Sequence, residues 1–175
     1  MYKALYNLST SNKLRGSNWM PPPWWLKTIL AKYPVQTRIV IYSRMLSGQQ
    51  VFVNVPAEVG CANAVSGLLE MVDPSFFGSK EVVNRIDSTI RLAQEMERNP
   101  RFVRVTTPHN GCIIINRTVS DKNRGHTGIY DNGRIWNNNS FTGKWATSYR
   151  WDQWRQTFQV EKGLPTEIYF PLGNK

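Results

Sequence analysis

The sequence predicts an α+β domain, with helices leading and an antiparallel sheet following. Between Cys61 and Arg98 the apolar residues recur at helical spacing. After residue 100 they alternate or run in short blocks broken by turn residues. Asp131-Asn132-Gly133, set between two β-rich segments, marks a hairpin in that second half.

Taken in order, residues 1–20 are rich in Ser, Asn and Lys and read as an N-terminal arm. The remainder, 21–175, reads as one domain. Pro21-Pro22-Pro23 is a stiff lead into a short helix, Trp24–Leu30, with Pro23 suited to its first turn. Thr37–Tyr42 and Gln50–Val55 are rich in β-branched residues and flank Ser47-Gly48, which predicts strands or extended segments around a turn. Cys61, Val65, Leu68 and Val72 fall at i, i+4, i+7 and i+11, one stripe of a helix that Asp73-Pro74 closes. A second helix is predicted from about Ser79 to Arg98, with Val83, Ile86, Ile90, Ala93 and Glu97 on its stripe. Arg101–Thr106 is then a strand, Pro108–Gly111 a turn and Cys112–Asn116 a buried strand. His126–Tyr130 and Arg134–Asn139 form the hairpin.

Composition narrows the function classes. With 41% hydrophobic and 12% aromatic residues the chain can build a core, which excludes a disordered protein. Its longest apolar runs, such as Ile113-Ile114-Ile115, fall far short of the ~20 residues of a spanning helix, so no membrane insertion is expected. Twenty-two Lys and Arg against twelve Asp and Glu give a net charge of +10, which predicts a polyanionic partner. The first residues lack a basic segment followed by an apolar one, so synthesis in the cytoplasm without a signal peptide is expected.

Two side chains suggest chemistry. Cys61 follows Gly60 and opens a helix, where unpaired N–H groups and the helix dipole favour a thiolate and draw its pKa below the ordinary value of about 8.5. The same N–H groups suit the oxyanion of a tetrahedral intermediate. His126 opens a strand and is placed to take the thiol proton. With Asp131 paired to Arg134 across the turn, His126 falls opposite Asn139, and Asn137 points to the same face. Asn138 points away unless a bulge shifts the register. Asn139, or Asn138 in a bulged hairpin, is therefore expected to orient the imidazole.

At these residues the chain resembles the papain-like peptidoglycan hydrolases of the CHAP and NlpC/P60 superfamily, most closely small phage-type members. The matching pieces are Gly60-Cys61-Ala62-x-Ala64-Val65-Ser66, Phe102-Val103-x-Val105, Pro108-x-x-Gly111-Cys112-Ile113-Ile114-Ile115, Gly125-His126-Thr127-Gly128-Ile129 and Asn138-Asn139-Ser140-x-Thr142-Gly143. They lie in order over about residues 50–158. The resemblance implies a papain-like fold, with the helix that starts at the nucleophile Cys61 packed on the sheet. It also implies that His126 is the base and a polar residue of the next strand its orienter. The implied activity is amide hydrolysis in peptidoglycan, as an amidase or endopeptidase, with no cofactor. The implied partner is an anionic bacterial cell wall, reached as a phage lysis enzyme, a virion-borne enzyme or an injected antibacterial effector. Where many relatives carry Gly-Asp before the apolar strand, this chain has Gly111-Cys112.

Other readings of the same residues remain. On its apolar stripe alone, Cys61 reads as a core residue, and it is His126 with the Asn cluster that turns the reading toward a nucleophile. His109, Cys112, His126 and Cys61 lack the paired spacing of a zinc site. Positive charge with interleaved aromatic residues also suits a nucleic-acid-binding protein. An inactive structural virion component with the same fold is a third reading.

Overall fold

The computed structural model describes residues 24–51, 55–56, 60–77 and 86–173. The arm and the triple proline lie outside the described residues.

The helical half begins with α1 (Trp24–Leu30), as its proline-led sequence predicts. The next element corrects the sequence reading: Thr37–Tyr42 belongs to a helix, α2 (Val35–Met45), and not to a strand. Its β-branched residues suggest extended chain locally, but Val35, Ile39, Tyr42 and Leu46 follow a helical period and all four are buried in the core. Of the Gln50–Val55 segment, residues 52–54 lie outside the described set. α3 (Gly60–Val72) forms where the stripe predicts it, and Asp73 caps the short 3₁₀ turn Pro74–Phe76 that follows. The second predicted helix is described as α4 (Thr89–Arg98), capped by the Ser88 hydroxyl. Residues 86–88 are not helical, and 78–85 lie outside the described residues. The buried side of α4 is Thr89, Leu92, Ala93 and Met96, while Ile90 and Glu97 face outward.

Six strands follow: β1 (Phe102–Val105), β2 (Ile113–Asn116), β3 (His126–Asp131), β4 (Arg134–Asn138), β5 (Trp145–Arg150) and β6 (Thr166–Pro171). They make one antiparallel sheet in the order β1-β6-β2-β3-β4-β5. α2, α3 and α4 pack on one face, over Ile113, Ile115, Ile129 and Tyr169. The other face is covered by α5 (Trp151–Trp154), which continues without a break as a π-helix over Arg155–Glu161. Trp154, Phe158 and Leu164 close over Cys112, Ile114, Ile135 and Ile168 there. The chain is thus α+β, with the sheet between two unequal helical layers.

Side-chain ties hold the layers in register. Arg44 of α2 grips Asp131 of the hairpin through two hydrogen bonds of 2.8 and 2.7 Å, and the same carboxylate accepts from the Trp136 indole. Arg117 joins Glu97 of α4 to Glu167 of β6, and the Tyr169 hydroxyl donates to Glu167 at 2.8 Å.

The end of the sheet where β2 stops and β3 starts is built very closely. Asn116 pairs with His126, and Gly125 passes so near that a Cβ there would stand 1.9 Å from the Asn116 carbonyl oxygen. That neighbour is backbone in a ladder and has no rotamer to yield. Gly125→Ala is therefore expected to cost about 3 kcal/mol, read as a fall in the urea midpoint at unchanged slope. A change under about 0.5 kcal/mol, the range of neutral surface substitutions, would contradict this packing.

Candidate active site

Cys61 sits in the first turn of α3, which meets the start of β3. Its side chain is 6% exposed. The backbone N–H groups of Ala62, Thr127 and Cys61 itself draw the thiol's pKa down. Thr127 follows His126 in β3, and its side chain leaves the strand on the face opposite to the imidazole. Burial pushes the thiol up to about 11, against the downward pull of those N–H groups. This corrects the expectation of a thiolate. The helix-start donors act in the predicted direction, but loss of water around the sulfur is the larger effect.

His126 opens β3 and is likewise buried, 7% exposed. By strand alternation its ring lies on the face covered by the π-helix. There it stacks on Trp154 (centroids 5.5 Å apart) and Phe158 (5.7 Å), with Tyr149 edge-on at 6.4 Å. Its polar partner is Asn137, whose Oδ1 is 3.3 Å from Nε2. The Asn137 amide is pinned from its other end, because Nδ2 donates to the Ile135 carbonyl at 3.1 Å. Oδ1 therefore faces the ring, Nε2 carries the hydrogen, and Nδ1 is the basic nitrogen of the neutral imidazole. Burial pushes His126 down to about 4; the Asn137 hydrogen bond opposes the shift and the Lys162 charge adds to it.

The orienting residue is thus Asn137, in place of the expected Asn139 or Asn138. The predicted register holds, since Gly128 pairs with Asn137 and Asp131 with Arg134. However, β4 ends at Asn138, and beyond it Asn139 Oδ1 turns to accept from the N–H groups of Phe141 and Thr142. The register irregularity of this region lies between β4 and β5, so Asn138 stays on the face opposite to the His126 ring. The aromatic cover also escaped sequence reasoning. Its signal was Trp154 and Phe158 at i and i+4 after a strand that ends near Tyr149.

Cys112 is fully buried in the lesser core and accepts from the His109 N–H at 3.3 Å, while the His109 ring packs edge-on against Phe170. Both cysteines are free thiols. Among the described residues no helix is long and apolar enough to cross a membrane.

The sheet separates the two candidate groups: Cys61 lies on the face covered by α3, whereas the His126 ring lies on the face covered by the π-helix, stacked on Trp154 and Phe158, so the structure does not bring thiol and imidazole together. The groups that pull the Cys61 pKa down are backbone N–H groups, and the imidazole donates to Asn137. Both titratable groups are neutral around pH 7. No protein-family model matches the chain, and no curated protein or solved structure shows significant similarity to it.

Proposed function

We propose that the protein is a papain-like cysteine hydrolase that cleaves amide bonds of bacterial peptidoglycan. The reading is carried by the Asn137-set tautomer of His126, with Nδ1 left as acceptor, and by Cys61 in the first turn of a helix packed on β3; it requires the start of β3 to shift so that the imidazole leaves the Trp154 and Phe158 cover and reaches the sulfur's face of the sheet. Cys, His and Asn in these roles are a recurrent solution to acyl transfer. The choice of peptidoglycan rests on the ordered motifs that resemble wall hydrolases, and the +10 charge suits an anionic wall.

Because burial disfavours both ions, the proton leaves sulfur as sulfur attacks, and no standing thiolate–imidazolium pair is involved. In that rearranged state Cys61 Sγ forms a bond to the amide carbonyl carbon while its proton passes to His126 Nδ1, a transfer that the opposite-face arrangement does not allow. Negative charge on the carbonyl oxygen falls to the backbone N–H groups at the start of α3. Collapse breaks the C–N bond, and His126 returns the proton to the leaving amine. Water, deprotonated by the same nitrogen, then hydrolyses the thioester. Asn137 keeps the ring in one tautomer throughout. A lysis enzyme, a virion-borne enzyme and an injected effector would all use this chemistry.

The test is muropeptide release from purified cell walls by wild type, Cys61→Ala and His126→Ala. Each substitution is expected to lower the rate by at least about 10³-fold. Activity that survives either one overturns the mechanism, and wild type inert on every wall type overturns the function.

A further inference from the structure

A polar groove of about 380 Å³ lies on the π-helix face of the sheet. Its construction follows from the helix. Trp154 and Phe158, four apart, turn onto the sheet and cover His126. Trp151, Arg155 and Gln159, also four apart, lie beside them along the helix and line one wall of the groove, Trp151 also packing against the same core. A π-helix turns more slowly than an α-helix, so residues four apart stay nearly in line, and such turns are frequent at functional sites. The opposite wall is Thr106 and Thr107, where the chain leaves β1, with Thr166 at the start of β6 and Ile168 at the floor.

The lining has a definite chemistry. Tyr130 holds the Trp151 indole edge-on, with centroids 6.1 Å apart at 88°. Arg155 Nε donates to Gln159 Oε1 at 3.0 Å, which fixes the guanidinium along the wall and leaves its terminal N–H groups for a ligand. Arg155 forms no ion pair among the described residues, and no acidic side chain lines the groove. An indole offers its face to a sugar ring, three threonine hydroxyls both donate and accept, and an unpaired guanidinium seeks a carboxylate or phosphate. The volume lies within the range of small-ligand sites.

We infer that this groove is a binding site for a sugar that carries an acid group. It shares no residue with Cys61, His126 or Asn137, and the inference does not depend on the hydrolase reading.

Binding alone is the test, measured on the Cys61→Ala protein by saturation-transfer NMR and tryptophan fluorescence. The probes are N-acetylmuramic acid, glucose 6-phosphate and neutral N-acetylglucosamine. One or both acidic sugars are expected to bind about tenfold more tightly than the neutral one, and which of them does so tells carboxylate from phosphate. Arg155→Gln, an exposed position, is expected to erase that preference while leaving the circular dichroism unchanged. Thr107→Ala and Gln159→Ala should weaken all sugars several-fold. Equal affinity for neutral and acidic sugars, a preference that survives Arg155→Gln, or no saturable binding overturns the proposal. Wild type that binds the acidic sugar but releases no muropeptides from any wall would count against the catalytic reading alone.

Discussion

Trp154→Ala is expected to lower folding stability by about 3–5 kcal/mol, the largest single loss available on the π-helix side of the sheet. The indole is fully buried and touches three aromatic rings: His126, Tyr149 and Phe158. Its N–H donates to Asn116 Oδ1 at 2.7 Å. Asn116 in turn donates to the carbonyls of Leu164 and Pro165 and to the Thr166 hydroxyl, at 2.9, 3.0 and 2.8 Å. The alanine variant therefore opens a cavity and also strands a buried amide oxygen, which alone costs about 1–3 kcal/mol. Trp154→Phe separates the two effects, since it keeps most of the ring and loses the N–H. It should cost about 1–3 kcal/mol. The measurement is urea unfolding with intrinsic fluorescence. A loss below about 1 kcal/mol for Trp154→Ala would mean that the π-helix does not seal this face. A second readout follows from the same packing: with the cover gone, the His126 pKa should rise from about 4 toward its ordinary 6.5, followed by NMR of the imidazole.

The legibility of this fold in its sequence follows the range of the interactions involved. The α3 stripe and the Asn132-Gly133 turn are local, and both the helix and the hairpin register formed as predicted. Asn132 takes φ 47° and Gly133 φ 78°, the left-handed pair that a two-residue hairpin turn requires. α2 misled because Ile39, Val40 and Ile41 advertise a strand over three residues, whereas Val35, Ile39, Tyr42 and Leu46 declare a helix only over twelve. β6 does carry a local trace, since Thr166, Ile168, Tyr169 and Phe170 favour strands, but nothing local says that it lies inside the sheet between β1 and β2. Its place is decided by pairing with strands some fifty and seventy residues upstream, as in Thr166 with Asn116 and Pro171 with Phe102. At the site, register identified the face on which an orienting Asn must lie. Where β4 would end was not readable, and that is what chose Asn137 over Asn139. The thiol was misjudged for a related reason: a helix start is visible in sequence, but the depth to which it is buried is not.

Stability is expected to be highest between about pH 6.5 and 9 and to fall on both sides, with His126 setting the acid limb and the buried thiols and phenols, Cys61 among them, the alkaline one. In the unfolded chain the imidazole takes up its proton near 6.5, whereas in the folded protein it does not until about 4. Between those values the unfolded state binds more protons, so folding weakens as the pH falls, by a total on the order of 3 kcal/mol. The thiol has the opposite sign. It ionises near 9 when unfolded and near 11 when folded. The unfolded state therefore holds fewer protons in that interval, and folding weakens as the pH rises, by about 2–3 kcal/mol. Other groups titrate as well. Burial pushes Asp73 and Asp131 up, but Arg101 and Arg44 hold both below the usual carboxylate range, so their stabilisation is lost mainly below pH 4. The test is accordingly a comparison of slopes: urea unfolding from pH 4 to 11 for wild type, His126→Gln and Cys61→Ala. His126→Gln should flatten the acid limb between 6.5 and 4, whatever its offset in absolute stability, and Cys61→Ala should make the alkaline limb shallower between 9 and 11, the remaining slope coming from Cys112 and the tyrosines that burial also raises. Parallel curves for wild type and His126→Gln would show that the imidazole is not held neutral by burial. The flat region between the limbs is also where Cys61 is a thiol and His126 a neutral imidazole, the protonation states from which the proposed hydrolysis starts. A hydrolase of the proposed kind should therefore lose activity below pH 6.5 no faster than it loses folded protein.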